Sequence, residues 1–290
     1  MSSRRRRAWT SQAGVPIAAT QDCGPLASGE AMSARPIKAR LHDDDLLFFL
    51  RLPKTASSSL TSVIEAHFSR WEILPSNSPF PADRYGAFSP ARLATYRFAK
   101  GHSDRWTHVI QTAICITMLR DPVLRTISHY RYLLRTRRRH HHRALMPQRI
   151  GLKEFVCDPR FYEHVVNVQV RGIVGPVKGR PEGYDDPNAM SGEALLVLAK
   201  QRLDQLAFVG LTERFSESVE LLAYTFGWAP VVRIPFLNAA PEPPNPDSIP
   251  HDTLDAIMER TSLDAELYAY ATKLFEARLE QMRQDSASFS

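Results

Sequence analysis

Seven consecutive residues, Pro53-Lys54-Thr55-Ala56-Ser57-Ser58-Ser59, place one cation among four hydroxyls in a run of small side chains. That combination suits an anion. Lys54 supplies charge, Thr55, Ser57, Ser58 and Ser59 supply hydroxyl donors, and Ala56 keeps the loop small. A hydrogen bond to a charged group contributes roughly 1.5–3 kcal/mol, so a handful can hold a doubly anionic head group. The loop has no glycine, and the G-x-x-x-x-G-K-[ST] pattern of nucleoside triphosphatases is absent. No acidic residue stands at a matching strand end to hold magnesium. Taken alone, the same residues also read as a Ser-rich helix cap.

A second segment, Ile116-Thr117-Met118-Leu119-Arg120-Asp121-Pro122-Val123-Leu124-Arg125-Thr126-Ile127-Ser128, repeats the arrangement: an apolar run, a basic residue, then a helix start. The planar fork of Arg120 matches a phosphate. Ser128 lies eight residues on, about two helical turns away, where its hydroxyl can reach the same phosphate. The plainer reading is that Asp121 caps the helix and Arg120 makes an ordinary ion pair. Two anion grips on adjacent strand ends suit a ligand with phosphates on both ends of a ribose.

The elements around these residues follow from the hydrophobic pattern. Leu46 to Leu52 is a short continuous apolar run, the signature of a strand buried on both faces of a parallel sheet. Pro53 stops it, and a helix runs from about Ser59, with Leu60, Val63, Ile64 and Phe68 on one face. Further strands are expected at Tyr96 to Lys100, Ala113 to Leu119 and Ala207 to Gly210. Further helices are expected over Val123 to Arg138, 151–157, 160–172, 191–205, Glu213 to Gly227 and Asp264 to Met282. Pro122 sits near a helix start, where its missing N–H is not needed. Pro75 to Pro90, Gly175 to Pro187 and Pro241 to Pro250 read as loops. Residues 1–43 read as a disordered basic tail and 44–285 as one domain. Alternation of strands and helices gives an α/β fold with a central, mainly parallel sheet flanked by helices.

The two anion motifs together resemble the cofactor signatures of the carbohydrate sulfotransferases, with heparan sulfate 2-O-sulfotransferases and bacterial relatives as the nearest likeness. Weaker matches are Asn167 through Gly172 to Gly175, Val209 to Phe215, and Leu263-Asp264-Ala265-Glu266-Leu267-Tyr268. The likeness spans roughly residues 45–280. It implies a P-loop-like sulfotransferase fold and 3'-phosphoadenosine 5'-phosphosulfate as co-substrate, with no metal. It implies that Lys54, Thr55, Ala56, Ser57, Ser58 and Ser59 bind the 5'-phosphosulfate and that Arg120 and Ser128 bind the 3'-phosphate.

Sulfuryl transfer needs an in-line acceptor oxygen, a base for its proton, and charge stabilisation on the leaving phosphate, as phosphoryl transfer does. Lys54 is the natural group for the leaving phosphate. His102, after Lys100-Gly101 at an expected strand end, is the candidate base, because imidazole titrates near neutral pH. The family resembled carries a Gly-His at a comparable place, with the histidine as base. The continuation here, Ser103-Asp104-Arg105-Trp106, is more polar than the family's. The bland alternative is a surface or core histidine.

The composition sets wider bounds. With 290 residues, 43% hydrophobic and 23% charged, the chain can bury a sizeable core. A net charge of +6 favours an anionic partner. Much of the excess lies in Arg4 to Arg7 and in Arg135-Thr136-Arg137-Arg138-Arg139-His140-His141-His142-Arg143. The second run could contact an acidic glycan; a solvated face is the usual reading of such a run. Its adjacent histidines point in different directions on a helix and make a poor metal site. Three scattered cysteines, Cys23, Cys115 and Cys157, form no disulfide framework or zinc pattern and suggest a reducing compartment. No stretch reaches the length of a membrane-spanning helix. The cysteine usage leads to the expectation of a cytoplasmic enzyme, and the resemblance implies a bacterial one acting on a hydroxyl-bearing acceptor, with a glycan foremost and without a nucleic-acid partner. The competing readings are a P-loop-like kinase using ATP, which needs magnesium, and a basic nucleic-acid-binding module, which needs aromatics among its charges.

Overall fold

The computed structural model describes residues 41–75, 95–102, 113–136, 150–175, 190–230 and 248–288. The basic tail, most of the three Pro-rich or Gly-rich loops, and the basic run beyond Thr136 lie outside them.

The apolar runs become strands because each is flanked on both faces by further apolar surface. β1 is Leu47–Leu50, β2 Phe98–Gly101, β3 Ile114–Leu119 and β4 Phe208–Leu211. They pair in the order β2-β1-β3-β4, all parallel, with Leu47 opposite Phe98 and Ile114, and Ile116 opposite Phe208. Phe48, Phe49, Phe98, Ile116 and Phe208 are fully buried, as both-face coverage requires.

Helices α1 (Ser57–Glu65), α2 (Pro122–Thr136), α3 (Leu152–Cys157), α4 (Tyr162–Val165) and α5 (Val168–Val174) follow in chain order. After them come α6 (Gly192–Gln205), α7 (Phe215–Phe226), α8 (His251–Arg260) and α9 (Ser262–Ala287). The main core joins the sheet to residues of α1, α5, α6, α7 and α9. A smaller apolar cluster of Ile127, Leu133, Phe155, Phe161 and Ile257 seats α2 against α3 and α8.

Two departures from the sequence expectation have local causes. The helix expected over 160–172 is broken into a 3₁₀ turn at Pro159–Phe161 followed by α4 and α5. Asn167 causes the break: its φ is 42°, a left-handed conformation that asparagine tolerates, and its Oδ1 accepts the N–H groups of Leu263 and Asp264. In return, fully buried Asp264 accepts the N–H groups of Gln169 and Val170, so α5 and α9 cap each other. The other departure is α8, which follows directly on Pro250 at the end of a segment read as loop.

Parallel pairing puts all four strand ends on one edge. From β1 the chain goes to β2 on one side and then crosses to β3 on the other, so the order reverses between β1 and β3. In open α/β sheets, the crevice outside the carboxyl ends at such a reversal is where ligands bind. The loop after β1 and Arg120 after β3 flank that point.

Candidate active site

The loop after β1 contains no glycine, yet it makes the turns that glycine usually makes. Lys54 has φ 70° and Ala56 φ 56°, both left-handed. Such a conformation costs a non-glycine residue about 1–2 kcal/mol, and strain of this kind clusters at functional sites. The loop is held in place by its own hydroxyls. Thr55 Oγ1 donates to Leu52 O at 3.0 Å and Ser57 Oγ donates to the same oxygen at 2.9 Å. Leu52 is itself pressed against α5: a Cβ on Gly172 would fall on Leu52 Cδ2. Thr55 and Ser57 therefore spend their protons on shaping the loop. Half-buried Ser58 and buried Ser59 stand in the first turn of α1, where helix amides point outward toward an anion.

Arg120 closes onto this loop. Its Nη1 donates to Lys54 O at 3.2 Å, tying the end of β3 to the turn after β1. Its buried Nε has no hydrogen-bond acceptor among the described residues and lies 3.6 Å from Glu213 Oε1. Asp121 Oδ1 accepts Leu124 N–H at 2.8 Å and so caps α2. The helix cap and the ion pair foreseen as the plainer reading are both present, and they coexist with a guanidinium drawn to the loop.

Lys54 extends to the C-terminal half of α2. Its Nζ sits 4.3 Å from the centre of the Tyr132 ring, a cation–π distance. Ser128, Tyr132 and Arg135 recur at helical spacing and share one face of α2. Burial, followed by the charges of Arg135 and Arg120, lowers the Lys54 pKa to about 8. Tyr132, which the sequence analysis did not single out, and Arg135, read there as the start of the basic run, both belong to this face. The signal was there: both continue the i, i+4, i+7 series from Ser128.

His102 is exposed and follows β2 directly. Gly101 pairs in register with Leu50, and Arg51 N–H donates to Gly101 O at 2.8 Å. The histidine thus stands at the same edge of the sheet as the Lys54 loop, on the neighbouring strand. Lys100 just before it is ion-paired with Glu65 of α1.

The chain matches no family profile. It is similar to individual proteins. Heparan-sulfate 6-O-sulfotransferase 1 of Homo sapiens is 26% identical over 301 residues, covering 86% of this chain and 70% of that protein. The Cricetulus griseus protein of the same name is 26% identical and is covered over 72% of its length. Heparan-sulfate 6-O-sulfotransferase 1-B of Danio rerio is 26% identical over 296 residues, covering 85% of this chain and 70% of that protein. These matches, weak in identity and consistent in kind, support a carbohydrate sulfotransferase family for the chain. It is a sulfotransferase of the class that takes its sulfuryl group from 3'-phosphoadenosine 5'-phosphosulfate.

These relatives correct one expectation and refine another. The 2-O likeness is replaced by relatives that carry a 6-O name. The expectation of a cytoplasmic, bacterial sulfotransferase is overturned, because the matching proteins are animal heparan-sulfate enzymes of the Golgi lumen. Cysteine usage misled that reading. A buried thiol such as Cys115 is a small core residue whatever the compartment. Among the described residues no group of three or more His, Cys, Asp or Glu could hold a metal ion, and no helix is long and apolar enough to cross a membrane.

Proposed function

We propose that residues 44–285 of this sulfotransferase move a sulfuryl group from 3'-phosphoadenosine 5'-phosphosulfate onto a carbohydrate hydroxyl. The first acceptor to test is a heparan-sulfate-type glycan, as the names of its relatives suggest. The observation that carries the reading is the junction of the two anion motifs at the sheet's switch point, where Arg120 Nη1 reaches Lys54 O. In this reading the amides and hydroxyls of Lys54 to Ser59 hold the 5'-phosphosulfate, and Arg120 and Ser128 hold the 3'-phosphate. Thr55 and Ser57 act on the donor chiefly by fixing the turn, since their protons lie on Leu52 O.

The step is an in-line displacement at sulfur. The acceptor oxygen forms a bond to sulfur while the bond from sulfur to the bridging phosphate oxygen breaks. The acceptor proton passes to His102, and the negative charge released on the phosphate is met by Lys54. The products are a sulfate ester and 3'-phosphoadenosine 5'-phosphate. Preorganised charge at the leaving group and a positioned base are the two contributions the protein makes.

The test is transfer of labelled sulfate from the donor to a panel of glycans by the full chain. Transfer to a heparan-sulfate-type glycan is expected. His102→Ala should lose about 10²–10⁴-fold in turnover with the affinity for 3'-phosphoadenosine 5'-phosphate unchanged. Undiminished turnover would remove His102 from the role of base. Phosphoryl transfer from ATP, with none from the phosphosulfate, would replace the reading with a kinase.

A further inference from the structure

Three segments that resemble the sulfotransferases only weakly in sequence converge on a single residue. From the first, fully buried Gln169 accepts the Arg120 N–H at Oε1 (2.9 Å) and donates from Nε2 to Arg120 O (2.7 Å). That fixes the backbone of Arg120 and leaves its side chain to be set by other groups. The second supplies Glu213, in the 3₁₀ turn Thr212–Arg214 after β4, which is tied to β3 by Thr212 Oγ1 donating to Leu119 O at 2.9 Å. Glu213 Oε1 lies 3.6 Å from Arg120 Nε and accepts Asp121 N–H at 3.3 Å. The third supplies Tyr268 of α9, whose hydroxyl donates to Glu213 Oε2 at 2.8 Å.

We propose that Glu213, oriented by Tyr268, is a positioning residue that aims the Arg120 guanidinium at the 3'-phosphate. This inference rests on the reading that Arg120 grips that phosphate. The chemistry favours it over a tie between α9 and β4 alone. A carboxylate that meets an arginine unhindered pairs with it bidentately, occupying the N–H groups a phosphate needs. Here Tyr268 holds one Glu213 oxygen and the Asp121 amide shares the other. Glu213 is thereby confined to the Nε side, at ion-pair distance and without a hydrogen bond to Nε. Nη1 meanwhile reaches Lys54 O, which fixes the plane of the guanidinium across the mouth of the loop. The remaining Nη hydrogens are left to an anion. The Tyr268 hydroxyl can serve this way because burial and the Glu213 carboxylate push its pKa far up, so it stays a donor.

The experiment measures affinity for 3'-phosphoadenosine 5'-phosphate and for adenosine 5'-phosphate, which lacks the 3'-phosphate, in the full chain. Tyr268→Phe removes only the hydroxyl, and Glu213→Gln removes the charge at nearly constant size. Each should weaken the bisphosphate about three- to tenfold and leave the monophosphate unchanged. In an Arg120→Ala background, itself at least tenfold weaker for the bisphosphate, neither should have a further effect. Equal losses for both nucleotides, or the same loss with and without Arg120, would show a structural tie only and overturn the proposal. If Arg120→Ala alone binds the bisphosphate like the unaltered protein, the 3'-phosphate reading fails at its root. That result differs from failure of the Glu213 role. Either substitution suffices if the other fails to fold.

Discussion

Lys54 carries two features that pull against each other. Its backbone is left-handed, which strains it, and its ammonium is crowded by Arg120 and Arg135 and partly withdrawn from water. Both make sense if the loop is shaped for an anion. The lowered pKa of about 8 gives a pH prediction with a definite sign. The charged form is present below pH 8 and is lost above it. A bisphosphate prefers the charged form, so affinity for 3'-phosphoadenosine 5'-phosphate should hold steady up to about pH 8 and then fall. The limiting slope is about tenfold per pH unit, with a proton taken up on binding. Lys54→Arg should stay flat over the same range, because guanidinium does not titrate there. Calorimetric titration between about pH 7 and 9.5 in buffers of different ionisation enthalpy measures both slope and proton uptake. A slope that survives in Lys54→Arg would assign the titration to another group.

At the scale of elements, the strands around the site were legible and the segment that supports Arg120 was less so. Leu46 to Leu52 and Ala113 to Leu119 have a continuous apolar pattern that only a doubly covered strand explains. β1 and β3 appear within a residue or two of those bounds at each end. The region 160–172 has a helical pattern too, but the pattern says nothing of a tertiary acceptor. What breaks it is Asn167 capping a helix almost a hundred residues away. Asp264, fully buried, returns the cap, and its charge favours the charged form of fully buried Arg125 against the cost of burial. Arg125 donates from Nη2 to His164 O and to Thr126 Oγ1, so its position also sets α4. Asp264→Ala would leave two α5 amides without acceptors and remove a negative charge that favours the buried Arg125 guanidinium. Removing one partner of a buried charge pair costs about 3–5 kcal/mol. Urea denaturation should therefore show a much lower midpoint, with a smaller drop for Asp264→Asn, whose side-chain oxygen can still accept an amide. A midpoint within error of the unaltered protein would mean that α5 is capped by other means. Since Gln169 rides on α5, the same variant should also weaken nucleotide binding.

Across the whole molecule, the candidate site could be read only as far as local pattern carries. Lys54 to Ser59, Arg120 and Ser128 are contiguous motifs, whereas Gln169, Glu213 and Tyr268 reach Arg120 from three distant stretches. Charge is legible from sequence but its placement is not. The net +6 gathers in two runs, and the second begins at Arg135, close enough to depress Lys54. If the acceptor is a polyanion, a run of this charge has a measurable consequence. Association driven by charge is screened with a Debye length of about 10 Å at 0.1 M salt and is steered from a distance at low salt. KM for a sulfated, uronate-bearing glycan should rise about tenfold between roughly 0.05 and 0.3 M salt. Replacing Arg137, Arg138 and Arg139 together by glutamine should raise KM at low salt and flatten that slope. Affinity for 3'-phosphoadenosine 5'-phosphate should not change, because Lys54, Arg120 and Arg135 remain. An unaltered slope would reduce the run to a solvated face and move acceptor recognition elsewhere. A parallel loss of nucleotide affinity would place these arginines in the donor site instead.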